Sequence, residues 1–121
     1  ALIGIIAGIA CYLAVMLKNK LQWDDALDVW GVHGVGGMLG VILLGVFANK
    51  AVNAAGADGL LLGGGSFFLK QTVAVVVASI YAFAFTFIAL KLINVFTPVR
   101  VEEKEEEVGL DDSLHGEQAY L

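Results

Sequence analysis

Long apolar runs separated by short polar segments make up most of residues 1–97 of this chain. The runs cover about residues 1–17, 29–47 and 67–96. An α-helix rises about 1.5 Å per residue, so helices of these lengths approach or exceed the ~30 Å hydrocarbon core of a bilayer. The pattern therefore predicts an all-α protein with three membrane-spanning helices, followed by a tail over residues 98–121.

The outer two runs differ in length. The first begins at Ala1 without a methionine or a basic leader, and as a helix it would cover roughly 25 Å. We therefore expect the chain to be the C-terminal piece of a longer membrane protein. The third run would cover roughly 45 Å, which exceeds the bilayer core, so we expect that helix to tilt or to protrude.

Glycine recurs at every third position of the second run. These glycines are Gly31, Gly34, Gly37 and Gly40. In water each would destabilise a helix by about 1 kcal/mol relative to alanine, whereas in a membrane small residues let helix backbones approach closely. We therefore predict that the second helix is buried among other helices and that these four glycines support it by contacting its neighbours.

Composition and charge agree with a membrane protein. Hydrophobic residues make up 59% of the chain and charged residues only 16%, whereas soluble domains are about a quarter charged. The net charge of −5 arises in the tail, where Asp and Glu far outnumber the two basic residues. This acidic tail gives no reason to expect nucleic acid as a partner, because nucleic-acid binding relies on basic surfaces.

The basic residues are distributed unevenly across the predicted membrane. The side of the first loop and the tail carries Lys18, Lys20, Lys91, Arg100 and Lys104, and the opposite side carries Lys50 and Lys70. Because basic residues accumulate on the cytoplasmic side of membrane proteins, the tail is predicted to be cytoplasmic.

One histidine, His33, lies in the glycine-rich second run. Ionisable groups within a membrane are costly and usually face a protein interior or a cavity, so we expect the ring to be neutral. A neutral imidazole offers one donor and one acceptor, which suits the binding of a small polar molecule or the passage of a proton. The alternative is a structural histidine that is hydrogen-bonded to a neighbouring helix.

Residues close to His33 in sequence suggest how its helix begins. Val29 precedes His33 by one turn and shares its face, so it is a candidate apolar lining residue. Asp28 is predicted to cap the N-terminus of the helix rather than to take part directly in proton transfer. Asp24 and Asp25 are further candidates for capping or for bridging the loop.

Metal and enzymatic chemistry find little support. A metal at His33 would need further ligands nearby, but Cys11 is the only cysteine and His115 lies on the tail. The serines lie in none of the sharp turns that expose a nucleophile. We therefore predict no metal, no organic cofactor and no enzymatic activity.

Three sequence blocks, in register, resemble the ammonium transporter family (Amt/Mep). DDALDVWGVHGVGGMLGVILLGVFA is similar to the penultimate helix of the family, ADGLLLGGGSFFLKQ to the extracellular loop that follows, and RVEEKEEEVGLDDSLHGEQAY to the cytoplasmic C-terminus. The resemblance implies a fold of eleven membrane helices, of which this chain supplies the last three, and assembly as a homotrimer. It also implies that His33 is the second of two histidines that face each other in a narrow hydrophobic pore.

The resemblance implies a function as well. Members of the family conduct ammonium or ammonia across the cell membrane, and the favoured scheme is binding of the cation, loss of its proton and passage of the neutral molecule past the histidines. The alternative is a non-transporting ammonium sensor or a membrane scaffold with the same fold.

The tail has two interpretations. It is either a solvated acidic segment or, by resemblance, a regulatory segment that docks on the cytoplasmic face, couples subunits and lies where a PII-type nitrogen signalling protein binds. The candidate regulatory residues are Gly109, Asp111, Ser113, His115 and Gly116. Both glycines suit tight turns, and phosphorylation of the serine would add about −1.5 to −2 charge.

Overall fold

Three long helices dominate the computed structural model, which describes residues 1–117. Helix α1 is Leu2–Lys20, α2 is Trp30–Phe47 and α3 is Gly65–Phe96. Each is long and apolar enough to cross a membrane, and no β-strand occurs within residues 1–117. The prediction of an all-α, multi-pass membrane fold is therefore confirmed.

The helices depart from the apolar runs at three places, one of which is the start of α3 at Gly65, two residues before its run. Helix α1 continues to Lys20, three residues beyond the run, because lysine is a good helix former and extends the last turn at little cost. Helix α2 begins as a π-helix over Trp30–Val35 and becomes α-helical over Gly36–Phe47. A π-helix closes i→i+5 hydrogen bonds and so contains more residues per turn than an α-helix.

Three shorter helical elements complete the described residues. They are a 3₁₀ turn at Leu60–Leu62, helix α4 at Glu103–Val108 and a second π-helical turn at Asp111–His115. The end of the tail, residues 118–121, lies outside the described residues. The chain divides by its internal contacts into two units, Ala1–Ile80 and Tyr81–Leu121, and each is described by itself.

The first unit contains α1, α2 and the start of α3. Helix α2 lies close to α3 at Gly45, where an added Cβ would lie 3.2 Å from the Cα of Phe68. Further along, the Ser79 hydroxyl donates to the Met38 sulfur at 3.4 Å. Only Gly31 and Gly45 of α2 are buried by the described residues, so the prediction that this helix is buried depends on helices outside the chain and stays a prediction.

The loop between α2 and α3 is closed at its base. The Gly59 N–H donates to the Ala48 carbonyl at 2.8 Å, and the Lys50 N–H donates to the Asp58 carboxylate at 2.9 Å. Between these contacts the chain reaches outward, and Val52 is 88% exposed. The loop therefore has joined ends and an open tip.

In the second unit, short-range contacts organise the chain beyond α3. Glu102 and Glu105 form a capping box at the start of α4, in which each side chain accepts a hydrogen bond from the other residue's backbone N–H. The Arg100 guanidinium pairs with the Glu106 carboxylate through Nε at 3.2 Å and Nη2 at 3.3 Å. These contacts stabilise a helix of only six residues, which would be marginal alone.

Candidate functional site

The π-helical turn at the start of α2 carries His33, and we call Trp30–Val35 the histidine turn. Single π-helical turns inside α-helices are uncommon and frequently occur at functional sites. The sequence did not predict this turn, because the apolar run is compatible with either hydrogen-bonding pattern. The contacts that hold it come from the preceding loop and from α1.

The loop contributes a carboxylate cap. Asp25 accepts hydrogen bonds from the backbone N–H groups of Val29 at 2.9 Å and Trp30 at 2.8 Å. The hydrogen bond from Trp30 is the main cause of a lowered pKa for Asp25; that from Val29 and the charge of Lys18 lower it further, against partial desolvation. Asp25 therefore caps the helix, as expected for an acidic residue at a helix N-terminus.

Asp28 has a different role from the predicted cap. No hydrogen bond joins its side chain to the N-terminal N–H groups; instead its carboxylate lies 2.7 Å from the Lys18 ammonium. Its φ is 55°, a left-handed conformation that aspartate tolerates better than most residues. Its carbonyl accepts the Val32 N–H at 2.9 Å. The prediction of Asp28 as the N-cap is thus wrong, because its side chain is drawn towards α1.

Lys18 is the functional candidate that sequence reasoning missed. It is 6% exposed, and its ammonium donates to the Asp25 carbonyl at 2.6 Å in addition to pairing with Asp28. The sequence placed it in a polar break and counted it only towards topology. The available signal was a lysine ending an apolar helix, followed within ten residues by three aspartates.

Helix α1 packs closely against one side of the histidine turn and the residue after it. A Cβ added to Gly31 would lie 2.9 Å from Val15 Cγ2 and 3.2 Å from the Val15 backbone nitrogen. A Cβ added to Gly36 would lie 2.8 Å from the Cys11 sulfur. Cys11, Val15 and Lys18 recur at helical spacing and so share one face of α1. Along that face, Lys18 contacts the loop before the turn. Val15 lies against Gly31 within the turn, and Cys11 lies against Gly36 just after it.

The other side of the turn is not covered by any of the described residues. His33 is exposed, and no hydrogen bond to its ring occurs among residues 1–117. Val29, one turn earlier, is 49% exposed, and added Cβ atoms at Gly37 and Gly40 would meet nothing within 4 Å. His33, Gly37 and Gly40 follow helical spacing on one face. An imidazole on such a face can offer a donor and an acceptor to another molecule.

The predicted glycine contacts are only partly present. Gly31 meets α1, whereas Gly34 lies near its own helix, with an added Cβ 3.6 Å from Trp30 Cδ1. Gly36, outside the predicted set, makes a close contact instead. That all four of Gly31, Gly34, Gly37 and Gly40 contact neighbouring helices stays a prediction.

The candidate tail residues lie together in a local turn. Gly109 ends α4 with φ 104°, and Gly116 follows the second π-helical turn with φ 65°. The Ser113 hydroxyl donates to the Gly109 carbonyl at 2.8 Å. Asp111–His115, which we call the tail turn, is thus bounded by two left-handed glycines, as suits tight turns. A regulatory role for these residues stays a prediction.

A metal site would require several ligand side chains close together. Within residues 1–117, no group of three or more His, Cys, Asp or Glu side chains is placed to hold a metal ion. That no metal is bound stays a prediction.

Comparison with known proteins gives consistent matches along the chain. A sequence model of the Ammonium Transporter Family matches residues 1–120. The chain is 48% identical over 120 residues to an ammonium transporter of Bacillus subtilis and 43% identical over 118 residues to ammonium transporter Amt1 of Archaeoglobus fulgidus; each match covers 98% of this chain and 30% of the relative. It is 43% identical over 119 residues to ammonium transporter 1 of Dictyostelium discoideum, covering 98% of this chain and 26% of the relative. The chain thus spans about 30% of the length of the first two relatives.

Proposed function

The chain belongs to the ammonium transporter family, and from this premise we propose that it forms part of a membrane pore that conducts ammonium or ammonia. His33 would line that pore, and Val29 would contribute an apolar wall one turn away. The twin-histidine arrangement of the proposal needs a second histidine from a helix outside this chain.

One observation carries the proposal. His33 lies on the face of the histidine turn that α1 leaves uncovered, and no residue in the described part of the chain hydrogen-bonds to its ring. A structural histidine would be expected to bond to the helix packed beside it, but α1 packs against Gly31 and Gly36 instead. The ring is therefore available to a molecule or to another helix on that face.

The physical argument concerns charge. Moving a bare cation into a low-dielectric lumen costs tens of kcal/mol by an idealised Born calculation, whereas a neutral ammonia molecule of the same size avoids most of that cost. A neutral imidazole adds no repulsive charge and supplies one donor and one acceptor. His33 would accordingly stabilise the deprotonated substrate or relay its proton while the apolar wall excludes ions.

The orientation and partners are further parts of the proposal. The tail would be cytoplasmic, because the larger group of basic residues lies on its side of the membrane. The complete protein would assemble as a homotrimer. A PII-type signalling protein would bind at the cytoplasmic face, and the candidate residues for that contact are those of the tail turn and the glycines on either side of it: Gly109, Asp111, Ser113, His115 and Gly116.

Methylammonium uptake and transport current, measured together in the complete protein, test the role of His33. His33→Ala removes the polar ring but keeps a strong helix former, so uptake should be lost or the ratio of current to uptake should change. Val32→Ala is the matched control, because it truncates a neighbour in the same turn that points about 100° away. We expect the control to keep wild-type values.

The outcomes separate the functional classes. Absence of methylammonium uptake by the wild-type protein would favour a sensor or scaffold over a transporter. Equal uptake and equal ion selectivity in wild type and His33→Ala would assign His33 a structural role.

A further inference from the structure

Lys18 is a buried charge placed at the start of the helix that carries His33. Among residues 1–117, Lys18 is the one charged residue that is buried, with 6% of its surface exposed. Burying an ammonium group is unfavourable unless it is paired and hydrogen-bonded. Lys18 satisfies both conditions, with the Asp28 carboxylate at 2.7 Å and the Asp25 carbonyl at 2.6 Å. Both partners belong to the segment that leads into the histidine turn.

These contacts act on the backbone of that segment. Asp28, held by Lys18, has the left-handed φ of 55° that redirects the chain into α2. The same residue supplies the carbonyl that accepts the Val32 N–H. Asp25, whose carbonyl is held by Lys18, supplies the carboxylate that caps Val29 and Trp30. Lys18 thus contacts the two residues that accept hydrogen bonds from the first N–H groups of the turn, Asp25 through its carboxylate and Asp28 through an i→i+4 bond to its carbonyl.

A π-helical turn depends on such restraints. It contains more residues per turn than an α-helix and is rarely found without a local cause. Relaxation of the turn to an α-helix would change the register by one residue, which is about 100° of rotation. Because Gly31 and Gly36 are seated against α1, the change would redirect the residues between them, including His33.

We propose that Lys18 is a positioning residue: its ion pair with Asp28 holds the histidine turn in its π-helical form and so sets the direction of the His33 ring. The consequence for transport rests on the proposed function of His33. The consequence for the backbone does not, because it follows from the contacts of Lys18 alone.

The complete protein carrying Lys18→Met gives the direct test. Methionine keeps the length and apolar stem of the side chain but removes the charge. We expect methylammonium uptake to fall about tenfold or more, since a misplacement of about 1 Å in a reacting group can reduce a rate by a hundredfold. The ratio of transport current to uptake should change as well. Lys20→Met is the matched control, because Lys20 is exposed on the same helix, and it should keep wild-type values.

A second variant distinguishes loss of the ion pair from a failure of the Lys18→Met protein to fold. Asp28→Asn keeps a residue that tolerates left-handed φ but removes the charge partner of Lys18. It should change the current-to-uptake ratio in the same direction as Lys18→Met. Adding Lys18→Met to it should cause a smaller change than Lys18→Met causes in the wild type, because the ion pair is already broken and only the hydrogen bond to the Asp25 carbonyl is lost in addition. Lys18→Arg retains a positive charge and should restore most of the uptake.

A readout independent of transport is the structure of the Asp28→Asn or Lys18→Met protein. Residues 30–35 should be α-helical and the His33 ring should be rotated. An unchanged π-helical turn, or wild-type uptake and selectivity in Asp28→Asn, would overturn the proposal. Wild-type protein without any uptake would instead overturn the proposed transport function, while the structural readout would still decide the role of Lys18.

Discussion

The described residues contain two π-helical turns, each with a histidine, and they are maintained in different ways. The histidine turn is capped by Asp25 and packed against α1 through Gly31 and Gly36. The tail turn lies between two left-handed glycines and relies on local hydrogen bonds such as that of Ser113. The same backbone form therefore arises once from contacts with another helix and once from the adjacent chain alone.

The glycines at the two turns are required for different physical reasons. Gly31 and Gly36 lie in a helix and have no unusual φ, but a neighbouring side chain occupies the space that a Cβ would need. Gly109 and Gly116 have positive φ and open space around them. A substitution should therefore fail through steric overlap in the first region and through backbone strain in the second, and only overlap can be relieved by a change in a partner.

The largest effect is expected for added methyl groups against α1. Gly31→Ala and Gly36→Ala should each destabilise the complete protein by about 1–3 kcal/mol, the usual cost of overpacking. Cys11→Ala should relieve much of the effect of Gly36→Ala, because the overlap is with the sulfur. Val15→Ala should relieve Gly31→Ala only partly, because the Val15 backbone nitrogen is also close. Thermal unfolding in detergent measures all of these; equal rescue at both positions would contradict the packing described.

A smaller and local effect is expected in the tail. Gly109→Ala should destabilise the end of α4 by about 1–2 kcal/mol, since an L-residue disfavours the left-handed conformation. Hydrogen exchange of α4 amides should accelerate, while the global unfolding temperature should stay constant. Gly116→Asn is the control, because asparagine tolerates φ near 65°. Equal acceleration in both variants would argue against a conformational cause.

The carboxylate cap gives a pH-dependent prediction. The pKa of Asp25 is lowered in the folded protein, so its contribution to stability is present above its unfolded pKa of about 3.9 and is lost as pH falls through the lower folded value. Asp25→Asn should lower the unfolding temperature at neutral pH by less than Gly31→Ala does.

The difference between Asp25→Asn and wild type should shrink as pH falls below about 4. Asp24→Asn is the comparison variant, because Asp24 accepts neither of the capping hydrogen bonds that Asp25 accepts from Val29 and Trp30. If the unfolding temperature of Asp25→Asn falls on acidification as steeply as that of the wild type, the loss of stability in acid belongs to another carboxylate.

The smallest effect is expected for Ser113→Ala. Its hydroxyl bonds to the Gly109 carbonyl at an exposed position, and a single net hydrogen bond contributes about 0.5–1.5 kcal/mol. Exchange of the tail-turn amides should accelerate by a few-fold with no change in thermal unfolding. A global destabilisation would show that Ser113 makes contacts beyond the Gly109 and Glu105 carbonyls to which its hydroxyl donates.

The sequence predicted the three long helices because apolar runs of membrane length leave few alternatives, and α3 ends at Phe96 as its run does. It favoured Asp28 over Asp25 as the cap, whereas the structure gives the capping hydrogen bonds to Asp25. That choice depends on the left-handed φ of Asp28 and on the position of Lys18, which are tertiary features. The periodic spacing of the glycines predicted a contact with a neighbouring helix at Gly34 but not at Gly36. Spacing alone does not specify where α1 crosses α2.

The loop between α2 and α3 offers a place to attach a label. Its ends are joined by the hydrogen bond between Gly59 and Ala48, and Val52 at the tip is 88% exposed. Each doubling of loop length costs only about 0.6 kcal/mol in closure entropy, so an epitope inserted at Val52 leaves the joined base intact. Antibody staining of unbroken cells would then report on which side of the membrane this loop emerges.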